Sequence, residues 1–546
     1  MSASDKKKLR KEYEAEVLTA RQLQEKKDAK KLKIATIAFV AAMAVVVCIA
    51  LGSLAFTAFQ RSGYTEKHTI AATIGDEQIN SVVLSYYYND AINEMYSKAY
   101  EQYTSYFQLY FDSMGLDLSK PLDEQTNPDT GDTWAQFFID SALESAKSDY
   151  TIAKLAKEAG FTLPEDEQAT IDNNMNNIST MATINYGSSG DAYLAMIYGN
   201  GAEEESYREY LERTALADAY YAHYYEEALP TDEEIRDYDK EHAKDFNSYS
   251  YSYSYLSYTE FLEGGTENED GEKVYSDEEK AAAREALKKA AEEMATAKSL
   301  EELEEKAEKV EVNETSQVAV NAETNMLYTS INGALADWLA DSSRKEGDIG
   351  AIPNISGEGD EAVTNGYYVA YFDSKTDNAT AMGNVRHLLI KYEGGEEDEE
   401  TGETVYSDEE KAVAREEAEK LLKEWKDGEA TEESFIQLVK DHSQDGNAAE
   451  GGLYEDINPA TEFVSEFLDW CIDPDRKKGD VEIVETMYGA HIMYYVEASE
   501  LNYRDHMIAD QMKTAKRDAW YEEALAAVTA TALDTSKIKT DLVIGG

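Results

Sequence analysis

The sequence predicts an α+β multidomain chain. It has a membrane-spanning N-terminal helix, a mostly helical region, two tandem copies of one α+β unit and a closing helix. Three observations carry this reading. Ile34–Gln60 runs 27 residues without a charge. The octapeptide VYSDEEKA occurs at Val274–Ala281 and again at Val405–Ala412. Between the uncharged run and the first octapeptide the apolar spacing is helical, whereas strand-like stretches precede each octapeptide. At 546 residues the chain exceeds what a single core serves, and its 42% hydrophobic content suffices for several.

The uncharged run would form a helix about 40 Å long, more than the roughly 30 Å of a bilayer's hydrocarbon core. Residues 1–33 hold 11 Lys/Arg against 6 Asp/Glu, a net +5. Basic flanks stay in the cytoplasm. The expected topology is therefore a cytoplasmic segment (1–33), one transmembrane helix (34–60) and an extracytoplasmic remainder. A cleaved signal peptide, cut after Ser53–Ala55, is the alternative; the apolar run is longer than a usual signal core of about 7–15 residues.

Residues 65–245 read as helical. A short strand, a Gly75-Asp76 turn and a second strand lead to a long helix capped by Asn80 or Ser81. Phe137, Ile139, Ala142 and Leu143 fall near one face of the next. Gly160 stops it, and Pro164 stands near the start of another. Two more helices follow, the last in TDEEIRDYDKEHAKDF.

YSYSYSYLSY then alternates with period two, a strand signature. An acidic Gly loop and the first octapeptide follow. The second octapeptide has the same setting after NVRHLLIKYEGG. In both, Ser276 or Ser407 is an N-cap and Glu279 or Glu410 completes a capping box. The likeness continues from ALADWLADSSRKEGDIG (334–350) to EFLDWCIDPDRKKGDVE (466–482), and from NGYYVAYFDS to YGAHIMYYVEAS. A unit was therefore duplicated, over 247–375 and 384–498, each reading strand–helix–helix–helix–strand. Residues 502–530 return to helix and are expected to complete the helical region, since a lone amphipathic helix is marginal in water.

The formal charge of −60 leaves −65 beyond residue 33. That excludes nucleic acid, whose phosphates need a basic face; an acidic cellular proteome or a saline habitat explains it as well as a specific role does. The two cysteines, Cys48 in the span and Cys471 beyond it, cannot pair within one chain, and no zinc or redox motif is present. The 39 tyrosines fit either a cradle for unfolded chains or ordinary core use.

In the second copy, VRHLLIKY, DHSQDGNAAEGGL, FVSEFLDWC and TMYGAHIMYYVE resemble the signature of parvulin-type peptidyl-prolyl isomerases. The flanking helical regions, with TIGDEQIN and PTDEEIRDYDKEHAKDF, resemble membrane-anchored PrsA-like foldases and SurA-like chaperones. The resemblance spans about 65–530 and is strongest over 384–498. It implies His387 and His491 as the paired histidines and Asp445 at the position held by Asp or Cys. It implies Thr486 and Tyr488 as the polar groups beside the second histidine. Leu453, Phe463 and Phe467 would form the apolar wall around a proline ring. Gly451-Gly452 matches a tight turn, which the family usually continues with Asp-Leu-Gly where this chain has Leu453-Tyr454-Glu455.

The implied reaction is cis–trans isomerisation of X-Pro bonds. No bond is broken, so no metal, cofactor or covalent nucleophile is needed. The implied partners are unfolded or partly folded exported proteins, with no nucleic acid and the membrane reached through the single helix. A non-catalytic holdase with parvulin folds as scaffold is the alternative. The first copy departs from the pattern. Loop alignment sets Ser257 or a neighbour opposite His387 and Tyr368 opposite His491, and nothing matches the Asp445 segment. It reads as a degenerate parvulin-like unit.

Overall fold

The computed structural model describes residues 2–267, 273–313, 318–357, 359, 362–397, 402 and 404–542. The chain forms two compact units, Met1–Ala228 with Lys516–Gly546, and Leu229–Ala515.

The first unit begins with α1 (Ala3–Arg61), one continuous helix opened by a Ser2–Asp5 capping box. The basic segment and the uncharged run thus share a helix, and Lys30–Arg61 is long and apolar enough to cross a membrane. β1 (Ile70–Ile74) and β2 (Glu77–Asn80) form a hairpin, and Ala530–Ala532 adds a third antiparallel strand beside β1. α2 (Ser81–Tyr103) is capped by Asn80, whose Oδ1 accepts the Val83 N–H at 3.0 Å. α3 (Trp134–Glu158), α4 (Glu165–Tyr186), α5 (Gly190–Tyr198) and α6 (Glu204–Glu227) follow.

The core of this unit is tyrosine-rich: Tyr86, Tyr87, Tyr88 and Tyr210 are buried with Trp134, Phe111 and Phe138. The Tyr86 hydroxyl reaches Ser206 at 2.7 Å and Tyr210 donates to Asp90. Burial holds both phenols well above their ordinary pKa. These tyrosines serve the core, one of the two uses open from sequence. The returning helix Tyr503–Ala526 enters this unit from Lys516. There Trp520 stacks on Tyr224 at 4.1 Å and Tyr221 donates to Asp518 at 3.1 Å.

The second unit starts with α7 (Asp232–His242), the helix read from sequence as the end of the helical region. Its Ile235 packs with Phe246, Ile508 and Ala509. Buried Arg504 pairs with Asp239 at 2.6 Å and donates to the carbonyls of Phe246, Ala243 and Asp377. This cluster holds α7 to the start of the returning helix, which is why α7 lies in this unit.

Two similar sheets follow. The first contains β3 (Ser248–Ser257), α8 (Asp277–Met294), α9 (Leu300–Ala307), β4 (Asn321–Leu327), α10 (Gly333–Ala340), β5 (Ile349–Ser356) and β6 (Val363–Thr376). The second contains β7 (Ala381–Lys391), α11 (Asp408–Asp427), α12 (Glu432–His442), β8 (Leu453–Ile457), α13 (Ser465–Cys471), β9 (Val481–Glu485) and β10 (Gly489–Asn502). Both are antiparallel with spatial order second–first–fourth–third: β4-β3-β6-β5 and β8-β7-β10-β9. The sequence reading of three helices between two strands omits β4, β5, β8 and β9. β4 is mostly exposed and bulged, so its residues NAETNML carry no alternation.

The repeated octapeptide has one structural role in both copies. Ser276 and Ser407 cap α8 and α11 with reciprocal capping boxes. The same glutamates reach back into the preceding loop: Glu279 Oε1 accepts the Gly265 N–H at 3.0 Å, and Glu410 Oε1 accepts the Gly395 N–H at 2.8 Å. Those backbone bonds hold both carboxyls below their ordinary pKa. Gly265 and Gly395 have φ of 77° and 78°, and an added Cβ would lie 2.9 Å from the Tyr275 or Tyr406 ring. The loop tips at 268–272, 398–401 and 403 lie outside the described residues. The copies also share a guanidinium over an indole, Arg344 on Trp338 at 3.7 Å and Arg476 on Trp470 at 4.5 Å.

Candidate active site

Antiparallel partners share a face of the sheet, and that face alternates along each strand. β7 pairs His387 with Met493 and Leu389 with His491 on β10. Val385, His387, His491, Met493 and Tyr495 therefore line one face. Leu388, Ala490, Ile492 and Tyr494 line the other, under α11 and α12. The first face is covered by α13, which presents Phe467, Trp470 and Cys471.

His387 and His491 are buried, 3% and 5% exposed, with rings stacked at 5.3 Å and Nδ1 atoms 3.1 Å apart. His491 Nε2 lies 2.9 Å from Thr486 Oγ1, which accepts the Tyr488 N–H at 3.1 Å. His387 Nε2 faces Asp445 Oδ2 at 3.5 Å, an ion-pair distance off the line of a formed hydrogen bond. The same carboxylate oxygen accepts from the Tyr454 hydroxyl at 3.3 Å and the Asn447 N–H at 3.2 Å.

These contacts restrict the protons. One Nδ1 must donate and the other accept. A His387 with a bare Nε2 would turn its lone pair toward a carboxylate, so Nε2 carries a proton. With a singly protonated His387, Thr486 donates to His491 Nε2 and His491 Nδ1–H to His387 Nδ1; with a doubly protonated one, both bonds run the other way, and in each case the His387 Nε2–H is aimed at Asp445. The His387 imidazole, with the Asn447 N–H and Tyr454 hydroxyl, holds Asp445 well below the usual carboxylate range. Burial, reinforced by His387, holds His491 down at about 4.

The loop before β8 places Asp445. Ser443 Oγ accepts the Leu389 N–H at 3.1 Å, and the Gln444 N–H donates to the Leu389 carbonyl at 2.9 Å. These extend the edge of β7. Gly452 then passes directly over His387: φ is 66°, and an added Cβ would lie 2.3 Å from the His387 carbonyl oxygen. Gly452 is thus a steric requirement of the close pass over the β7 backbone.

The wall of the site is aromatic. Phe467 lies edge-on to both histidines at 5.1 and 5.3 Å, Phe463 packs on Phe467 at 5.0 Å, and Tyr454 closes the ring against Phe463 at 5.2 Å and His387 at 5.4 Å. His387, Asp445, Thr486, His491, Phe463 and Phe467 are therefore brought together. Leu453 is not. It pairs with Arg386, on the opposite face, while Tyr454 pairs with Val385 on the histidine face. Strand alternation puts Tyr454 where the sequence alignment put Leu453. Tyr488 contributes its backbone N–H to Thr486, and its side chain is exposed.

The register also corrects the alignment of the first copy. Ser257 pairs with Gly366 as Lys391 pairs with Gly489, which sets Tyr253, not Ser257, at the place of His387. Tyr368 does take the place of His491, and Leu335 that of Phe467. Tyr253, Tyr255 and Tyr368 form a cluster with rings 4.8 and 6.0 Å apart.

The depressed His491 pKa gives a pH prediction. Unfolded, the residue titrates near 6.5; folded, near 4. Between those values the unfolded chain binds more protons, so stability falls as pH drops from about 6.5 to about 4, by on the order of 3 kcal/mol from this group. Urea midpoints measured from pH 7 to pH 4 should fall through that window, and His491→Gln should flatten the fall. An unchanged slope in the variant would remove His491 as its source.

Residues 369–498 match the model of the PPIC-type PPIASE domain family. The match begins within β6, ahead of the boundary read from sequence, and ends in β10. No curated protein matches the chain. Among solved structures it is similar to the PPIASE domain of TBPAR42, at 25% identity over 21% of this chain and 99% of that one, with a TM-score of 0.17. It is also similar to a PpiC-type peptidyl-prolyl cis-trans isomerase domain, at 19% identity over 23% and 97%, TM-score 0.18. PrsA from Bacillus subtilis is similar at 13% identity over 74% and 89%, TM-score 0.24. Over residues 369–498, the chain carries a PPIC-type peptidyl-prolyl isomerase domain.

Proposed function

We propose that the protein is a membrane-anchored foldase that isomerises X-Pro bonds of exported proteins, with its catalytic site in the second copy. The observation that carries this is the buried His387–His491 pair between ionised Asp445 and an aromatic wall. The amide barrier of about 18–20 kcal/mol comes from resonance, which separates charge in the planar form and not in the twisted one. A dry aromatic cup grips the proline ring and disfavours the charge-separated planar amide. Asp445 beside the carbonyl oxygen would raise that form further, and the Tyr454 hydroxyl is a donor within reach of the same region. The histidine pair acts as a buried polar floor that fixes Asp445. Its shared face, wall and hydrogen-bond order support roles for His387, Asp445, His491, Thr486, Phe463 and Phe467. Tyr454 joins them in place of Leu453.

The first copy, with the same strand order and tyrosines at the histidine positions, reads as a degenerate parvulin-like unit. Together with the helical unit it would hold clients. The experiment is cis–trans exchange of a proline tetrapeptide with the purified chain. Exchange at the uncatalysed rate, which takes tens of seconds, would leave a holdase as the better reading.

The apolar Lys30–Arg61 helix behind a basic segment supports an anchor with the N-terminus inside. Protease added to intact cells should digest residues 61–546 and spare the first 33. A protected large fragment would overturn that topology.

A further inference from the structure

We propose that the hairpin of α4 and α5 rests on the bilayer surface beside the transmembrane helix. The inference depends on the anchor reading of Lys30–Arg61. Asn173–Ala202 spans 30 residues with one charge, Asp191, in a chain whose residues are 30% charged. That aspartate is engaged: its Oδ1 accepts the Glu204 N–H at 2.9 Å at the start of α6, where the positive helix end offsets its charge. The hairpin nonetheless exposes large apolar side chains. Met181 is 45% exposed, Ile184 75%, Tyr186 55% and Met196 49%. Tyr186 and Tyr193 join the two helices with rings 5.2 Å apart.

Position identifies the occupant. Gly63 lies two residues beyond the end of α1, and a Cβ there would lie 2.1 Å from Gly201 Cα. Gly201 lies three residues beyond the end of α5. The uncharged hairpin therefore adjoins the point where the chain leaves the membrane. α5 is nine residues long, so Ile184 and Tyr186 lie on the order of 20 Å from that point. A chain carrying −65 outside the membrane is repelled by anionic headgroups over most of its surface. An uncharged hairpin that exposes Met181 and Ile184 side by side, three residues apart on α4, with tyrosine nearby, is the kind of surface that settles at the headgroup–acyl boundary. The tether keeps lipid at this face at high effective concentration, which a diffusing client or a second copy does not match.

The test uses the full chain in phosphatidylcholine–phosphatidylglycerol vesicles. Cys48→Ser leaves only buried Cys471, and one cysteine at a time is added and labelled with an environment-sensitive fluorophore. The positions are Ile184→Cys, Gln60→Cys at the end of the span, and Glu165→Cys at the far end of α4. The quencher is a lipid with a headgroup-level nitroxide. The expected result is quenching at 184 comparable to that at 60, none at 165, and loss of the 184 signal in Met181→Glu/Met196→Glu. Quenching at 60 without quenching at 184 overturns the proposal and leaves the anchor standing. No quenching at either overturns both. Equal quenching at 184 and 165 overturns the assignment to this face. So does a 184 signal that is absent at one chain per vesicle, or one that needs added unfolded protein.

Discussion

Asp445→Ala is expected to slow isomerisation of a proline tetrapeptide by roughly 10- to 1000-fold, about 1.4–4 kcal/mol of barrier. The carboxylate is ionised, accepts from the Tyr454 hydroxyl and the Asn447 N–H, and faces the His387 Nε2. Removing it takes the negative charge from the rim of the cup. It also leaves His387 Nε2 buried with nothing to face, so the proton order from Thr486 inward loses its end point. The fold should survive, because Asp445 lies on a loop whose anchoring to β7 runs through Ser443 and Gln444. Asp445→Asn separates charge from shape. If charge matters, Asn should recover little activity; if position alone matters, most of it. An Ala variant that is folded by circular dichroism and fully active would end the assignment.

Phe467→Ala should be the most disruptive single change at the site for stability. The ring is buried and touches His387, His491 and Phe463. Its loss opens a cavity between α13 and the sheet, at an expected cost of about 3–5 kcal/mol. Activity should fall as well, since the cup loses part of its wall and water reaches the histidine pair. Phe467→Leu distinguishes the two effects. The first copy carries Leu335 at the matching place on α10, buried in a core of its own. Leucine at 467 should therefore restore much of the stability while leaving the cup too shallow, so that turnover stays low. Denaturant midpoints and tetrapeptide kinetics, measured on both variants, check this. Parallel recovery of both quantities would mean that Phe467 acts on activity only through folding.

What was legible in the sequence follows from how local each signal is. The uncharged N-terminal helix, the capping boxes at Ser276 and Ser407 and the long helices are written in consecutive residues, and each helix and cap is found where it was read. The paired histidines were legible because their flanking motifs are distinctive. The misplacements at the site are matters of register. Leu453 and Tyr454 are neighbours in sequence, and only the pairing of β8 with β7 decides which of them faces His387. Tyr253 and Ser257 lie on one strand, and only the pairing with β6 shows that four residues separate the alignment from the structure. A one-residue slip in a strand exchanges its faces, and no residue type in YSYSYSYLSY or GLYED fixes it. Tyr454 could have been found from its two aromatic neighbours in the wall, had β8 been recognised as a strand.

The first unit is built from both ends of the chain, and this sets an order in time. Its three-stranded sheet needs Ala530–Ala532 to flank Ile70–Ile74. At synthesis rates of about 5–20 residues per second, roughly 20–90 s separate those two strands as they are made. Throughout that interval the free edge of β1 waits unpaired, and before it ends every strand of the second unit has been made. The isomerase domain can therefore mature before the first unit is closed. A chain truncated before residue 530 should expose an open β-edge within its own helical unit while its catalytic domain is complete.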